Sequence, residues 1–303
     1  MTGTDVDPRT THHAALGPLL FTVAYEILGS AVDAEHVVRQ CLCQSPPGPG
    51  EVRPAAARTH VTALVVPRAV DALAVRRRAA DGYVGPWLPE PIRLDDDAMA
   101  DGVLAEAVST ALLVVLEELE PEARAVYVLG EVFGFGADAI ATILSPTSGD
   151  VERIAERARS LVERRRPRFD PVDRARAAEI VDAFLSAAES GDAGTLLTLM
   201  TPDVVLTSDS DGKTTAVRRP MCGAPAVMQV LSGFARIGAV LDDYRAEFAM
   251  FNSQPGMILH FDGRLQTVLT LRVVDGLIAD IYVMRNPDKL GGVECSRLVT
   301  RSI

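Results

Sequence analysis

The hydrophobic period of this chain changes once, and that change limits the folds open to it more than any other feature. Up to about residue 200, apolar residues recur at three- and four-residue spacing, as in Leu16, Leu19, Leu20, Val23 and Ile27, or Leu104, Val108, Leu112, Val115 and Leu119. Further on, Leu265, Thr267, Leu269, Leu271 and Val273 alternate with polar or smaller neighbours. The first pattern presents one face of a helix and the second one face of a strand. Helices followed by a sheet imply a multidomain chain with helical units first and an α+β domain after them. Its 303 residues leave room for two or three small units.

Punctuation residues divide the chain further. Residues 14–80 read as one helical module. Gly29-Ser30 breaks its first helix, Asp33 is placed to start the second, and Ser45 to Pro54 is a loop by composition. A third helical pattern, Val61 to Val75, carries Arg76, Arg77 and Arg78 in its last turn, where cations favour the helix dipole. Residues 81–105 are an acidic, proline-rich linker. In residues 106–168, Pro121 opens a helix through Phe133, GFG separates it from Ala137 to Leu144, and Thr147 or Ser148 caps a long helix to Arg166. Helix, short turn and arginine-bearing helix is the helix-turn-helix order. Residues 172–290 open with a helix capped by Asp173 and ended at Gly191. Three Asp-Gly pairs, at Asp211, Asp262 and Asp275, lie between strand-like runs and predict hairpins.

A net charge of −11 argues against a nucleic-acid partner until it is located. Residues 81–120 hold ten acids against one arginine. Residues 14–80 hold seven arginines against five acids, and residues 121–170 hold eight of each. The acidity is therefore concentrated in the linker and the helix after it. Lysine occurs only at Lys213 and Lys289, a bias assigned to genomic base composition. No apolar run reaches the ~18 residues of a membrane span, and MTGTDVDPRT has no apolar core of a signal peptide. Cys41, Cys43, Cys222 and Cys295 do not make a disulfide framework, so a reducing cytoplasm is expected. Cys41 and Cys43 near His36 are weak as a zinc set; buried thiols are the simpler reading, and no metal or cofactor is expected.

Four segments carry a family resemblance: YVGPWLPEP (83–91), SDSDGK (208–213), NSQPG (252–256) and RNPDKL (285–290). With LLFTVAYEILGSAVDAEHVV near the start, the chain resembles extracytoplasmic-function σ factors with a SnoaL-like (nuclear-transport-factor-2-like) C-terminal domain, from about Leu16 to Leu290. The resemblance implies two all-α modules, the second with the helix-turn-helix, followed by an α+β cone. It implies core RNA polymerase and promoter DNA as partners, and activity tuned by the chain's own C-terminal domain. Asp33, Ala34 and Glu35 would face polymerase. Arg76, Arg77 and Arg78, with Ser148, Glu152, Arg153, Arg157 and Arg159, would face DNA. Trp87, Pro89 and Glu90 of the linker would meet Asp211, Gly212 and Lys213 and the segment Asn286, Pro287, Asp288 and Lys289.

Some residues depart from the family pattern. Pro67 falls inside the third helix, where it removes a hydrogen bond, and residues 41–80 contain no aromatic side chain on which a melted base could stack. Asp150 and Glu152 open the helix that would read base edges; they either alter specificity or favour the helix dipole. These departures keep open a σ-derived binder with weakened promoter melting. A ligand-sensing or catalytic cone is a further alternative, with Asp209, His260 and Asp288 as acid/base candidates and an unidentified small molecule as its ligand. Non-enzymatic control is the favoured reading.

Overall fold

The structure is a computed structural model that describes residues 8–44, 54–94, 101–238 and 243–301. Most of the expected Ser45–Pro54 loop and the acidic run Asp95–Asp97 lie outside the described residues. Two compact units result, and neither is continuous in sequence: residues 1–81, 115–166 and 298–303 form one, and residues 82–114 and 167–297 the other. These units cut across the four segments read from the sequence. Residues 14–81 and 115–166 fall in the first, while the linker and residues 106–114 fall with the sheet.

The first unit contains α1 (Pro8–Leu28), α2 (Ala31–Gln44), α3 (Pro54–Ala79), α6 (Pro121–Tyr127), α7 (Ala137–Leu144) and α8 (Ser148–Arg165). Gly29 turns the chain after α1 with φ of 64°, and α2 starts earlier than Asp33. Ser30 is its cap, its Oγ accepting from the Asp33 amide at 3.1 Å, which leaves Asp33 in the first turn where its charge suits the dipole. Pro67 does not end α3. Its missing amide would have served the Ala63 carbonyl; the next carbonyl, that of Leu64, accepts from Arg68 Nη1 at 2.7 Å and Cys41 Sγ at 3.2 Å. Helix α6 continues into a single π-helical turn at Val128–Val132. Ser145 then ends α7 in the left-handed region, and Thr147 caps α8 by accepting from the Asp150 amide. Helix α3 packs on α1, α6 and α7, so the two helical segments share one core.

The second unit is built on an eight-stranded mixed sheet ordered β3-β2-β7-β6-β5-β4-β1-β8. The strands are β1 (Arg93–Leu94), β2 (Met200–Asp209), β3 (Met221–Cys222), β4 (Tyr244–Phe251), β5 (Gln254–Phe261), β6 (Arg264–Val274), β7 (Leu277–Met284) and β8 (Ser296–Arg297). Helices α9 (Arg174–Ser190), α10 (Ala193–Leu199) and α11 (Ala224–Gly238) cover one face, with Phe184, Leu196 and Val227 against Met250, Met257, Leu269 and Val283. The short α4 (Gly102–Ala107) follows the linker, and α5 (Thr110–Leu116) contains the boundary between units. On the opposite face Phe251, Ile258, Val268 and Met284 pack with Leu88 from the linker and Leu290 and Val293 from beyond β7. Neighbouring strand residues thus enter different cores. Both faces being covered, alternation is blurred, and Val268 and Thr270 are as buried as Leu269 and Leu271.

Two of the three Asp-Gly pairs join consecutive antiparallel strands, at Asp262-Gly263 and Asp275-Gly276. Asp211-Gly212 has the same positive φ at both residues, but it begins a longer connection from β2 to its antiparallel partner β3. The β4–β5 hairpin turns at Asn252-Ser253, with φ of 53° and 60°.

Candidate functional site

The linker and the sheet meet around one carboxylate. Asp209 ends β2 and is fully buried. Its oxygens accept from the Tyr83 hydroxyl, the Leu88 amide at 2.8 Å and Lys289 Nζ at 2.7 Å. Lys289 Nζ also donates to the Leu88 carbonyl at 2.7 Å and lies 4.1 Å from the Trp87 ring centroid and 5.2 Å from that of Tyr83. An ammonium in this position has a carboxylate, a carbonyl and two aromatic faces around it, which offsets its desolvation. Asn286, itself buried, donates from Nδ2 to the Tyr83 oxygen at 3.0 Å. Burial and the Asp209 charge both push the Tyr83 hydroxyl well above the usual phenol range, so it remains a donor.

The remaining family motifs fix the ends of this clasp. Asp211 accepts from the Val84 amide at 3.1 Å, and a side chain at Gly212 would meet Val84 at 3.2 Å. Lys213 pairs with Asp211 at 2.8 Å and Asp288 at 2.7 Å at the exposed edge. Asn252 exchanges backbone and side-chain bonds with Ile92 and donates to the Val108 carbonyl at 2.8 Å. Of the linker residues singled out in sequence, Trp87 lies against Lys289, while Pro89 and Glu90 are buried. Pro287 is exposed. Sequence reasoning missed Tyr83 and Asn252 as linker-holding groups and took Asp209 for an acid/base candidate. His260 is buried and its Nε2 faces Glu294 at 3.4 Å; Asp288 is exposed.

The first unit gathers its basic residues on an acid. Arg76 Nη2 donates to Glu117 Oε1 at 2.7 Å, and the fully buried Arg124 donates to the same oxygen. Arg77 donates to the carbonyls of Glu117 and Leu119, just past the end of α5, where helix carbonyls lack partners. Burial raises Glu117, but Arg124 and Arg76 outweigh it and leave the carboxyl below its usual range. Glu26 of α1 is fully buried and its carboxyl oxygens have no hydrogen-bond partner; burial, opposed by Arg124, pushes it up to about 8.

No family model matches the chain. It is 29% identical over 295 residues to the ECF RNA polymerase sigma factor SigJ of Mycobacterium tuberculosis, covering 92% of each chain. A probable ECF RNA polymerase sigma factor of the same organism, SigI, is 27% identical over 73% of this chain and 84% of its own. The crystal structure of Mycobacterium tuberculosis SigJ superposes with a TM-score of 0.73 at 28% identity, covering 94% of this chain and 99% of that one. The chain is thus similar over nearly its whole length to extracytoplasmic-function σ factors.

In this chain Asp33 is exposed, Glu35 half-buried and Ala34 buried, so Ala34 sets the packing of α2 and the acids present its charge. Arg78 is exposed at the end of α3, unlike Arg76 and Arg77. On α8, Glu152, Arg153 and Arg157 are exposed, Ser148 Oγ donates to Asp138 at 2.6 Å, and Arg159 pairs with Glu131 at 2.9 Å. Asp150 is taken up locally: the Thr147 hydroxyl and Arg153 hold its carboxyl, and Arg153 is the larger cause of its lowered pKa. Asp150 thus lies in the first turn beside the Thr147 cap, where its charge suits the dipole, and Glu152 is exposed. The four cysteines are free, and among the described residues no cluster of His, Cys, Asp or Glu could hold a metal. No helix among those residues is long and apolar enough to cross a membrane.

Proposed function

We propose that this chain directs core RNA polymerase to specific promoters in the cytoplasm, and that its cone sets the activity by holding the linker between the two helical segments. The observation that carries this reading is the end-to-end likeness to SigJ, 92% of each chain, with the motif residues gathered around Asp209. Asp33 and Glu35 are the polymerase-facing acids, suited to a basic partner. Arg78, Arg153 and Arg157 are the exposed cations for DNA phosphate, and Ser148 and Glu152 lie where base edges would be read. The cone acts as a clamp. Asp209 is occupied by three donors, and apolar side chains from both layers fill the space between α9–α11 and the sheet.

The test is initiation by the purified chain with core polymerase on a promoter library. The expected result is transcripts starting at defined positions, with output changed when the clasp is broken by Lys289→Met. A folded protein that gives no initiation on any template, with or without the clasp, overturns the proposal. A second reading, a σ-derived binder with weakened melting, is favoured by Pro67 in α3 and by the lack of aromatics in residues 41–80. Permanganate reactivity of unpaired thymines separates the two, since a binder protects DNA without opening it.

A further inference from the structure

Three guanidinium groups in the first unit converge on Glu117, and two of them belong to the helix end assigned above to DNA. Arg76 holds the carboxylate at 2.7 Å, and Arg77 holds the Glu117 and Leu119 carbonyls and stands 3.6 Å from the second carboxylate oxygen. Carboxylate and phosphate present the same kind of charged oxygen to a guanidinium fork. Arg124 ties the same carboxylate to α1, its Nε donating to the Glu26 carbonyl at 2.9 Å. One acid therefore joins α1, α3 and α6, and it does so by occupying the arginines.

We propose that Glu117 is an internal substitute for DNA phosphate, so that the helical unit must open at this contact before Arg76 and Arg77 can bind DNA. The inference rests on the σ-factor reading for its biological meaning, but the contact itself can be tested without polymerase. A duplex offers phosphates to Arg76 and Arg77 at once and releases its counterions on binding, where Glu117 offers the pair a single carboxylate.

The test measures binding of the full chain to a short random-sequence duplex by fluorescence anisotropy over a series of salt concentrations. Glu117→Gln should bind several-fold tighter at low salt, with the log–log salt slope steeper by about 1.8, the release expected for two added phosphate contacts. Arg76→Gln with Arg77→Gln in that background should return both quantities to the parent values. A folded Glu117→Gln protein with unchanged slope, or a gain that survives loss of both arginines, overturns the proposal. Should Glu117→Gln fail to fold, Glu26→Leu tests the opposite sign. It removes a buried, unpartnered carboxyl while keeping Arg124 on Glu117, so it should raise the thermal midpoint and weaken duplex binding several-fold. A higher midpoint with unchanged DNA binding overturns the proposal. Absence of initiation with core polymerase counts against the σ-factor reading alone, because the duplex measurement is independent of it.

Discussion

Replacing Asp209 by Asn removes one charge without changing shape, and the structure sets what that should cost. The carboxylate faces only donors: Tyr83, the Leu88 amide and Lys289. An amide can keep one oxygen among them, but its Nδ2 must then face a donor, and the Lys289 ammonium, with its side chain 9% exposed, loses its counter-charge. Breaking one side of a buried ion pair costs ~3–5 kcal/mol. Docking of residues 83–88 gains about 2 kcal/mol from burial of Leu88 and about 1 kcal/mol from each hydrogen bond. Five such bonds hold the segment, so the local gain of about 7 kcal/mol exceeds the penalty, and the linker should loosen on the sheet without leaving it. Trp87 is the only tryptophan and lies against Lys289, so its fluorescence reads this step directly. The expected outcome for Asp209→Asn is a red-shifted emission and easier quenching by acrylamide, with the far-ultraviolet circular dichroism retained. Adding Lys289→Met should recover part of the loss, since the charge then has no need of a partner. An Asp209→Asn protein with unchanged Trp87 emission and unchanged urea midpoint would refute the assignment of the clasp to this ion pair.

Other perturbations test separate parts of the structure. Glu26 is raised from 4.5 to about 8, so the first unit is most stable with it protonated. That contribution is complete below about pH 4.5 and is lost as pH rises towards 8, on the order of 2 kcal/mol of it between pH 6 and 8. Urea unfolding should show stability falling over that window in the parent and a flatter profile in Glu26→Leu. Gly256→Ala should cost about 1–3 kcal/mol, because the added Cβ would stand 2.6 Å from the Leu269 carbonyl and 2.9 Å from Phe251; a thermal midpoint equal to the parent's would contradict this. Thr147→Ala removes the side-chain cap of α8 and should cost about 1 kcal/mol, seen as faster hydrogen exchange at the first amides of that helix.

Elements whose signal is local were legible from the sequence. The Asp173 cap and Gly191 stop of α9, the Thr147 cap of α8 and the turns at Asp262 and Asp275 each depend on a few adjacent residues, and the structure has them. Asn252-Ser253 was not read as a turn because serine rarely takes positive φ; there the turn is held from outside, by the bonds of Asn252 to Ile92 and Val108. Burial on both faces hid the strand alternation beyond the run around Leu269. Asp209 was visible as a buried-acid candidate, but a carboxylate poised for catalysis and one closing a clasp have the same sequence. The donors that distinguish them come from positions 83, 88 and 289. The grouping of helical segments was likewise out of reach, since Arg124 and Glu26 are 98 residues apart and neither shows a pattern of its own.

The two lysines bring these observations to a single physical argument. Every other basic residue apart from histidine is arginine, so composition alone gave Lys213 and Lys289 no meaning. Both are in the clasp, one enclosed by a carboxylate, a carbonyl and two rings, the other joining the half-buried Asp211 and the exposed Asp288 at its edge. A guanidinium is a planar fork that matches two parallel acceptors, as Arg168 does on Asp275. The acceptors around Lys289 converge on one point from different sides, and an ammonium is a compact charge with donors to meet them. An arginine at position 289 would keep the charge and lose this fit, so a change of side-chain shape alone should disturb the clasp.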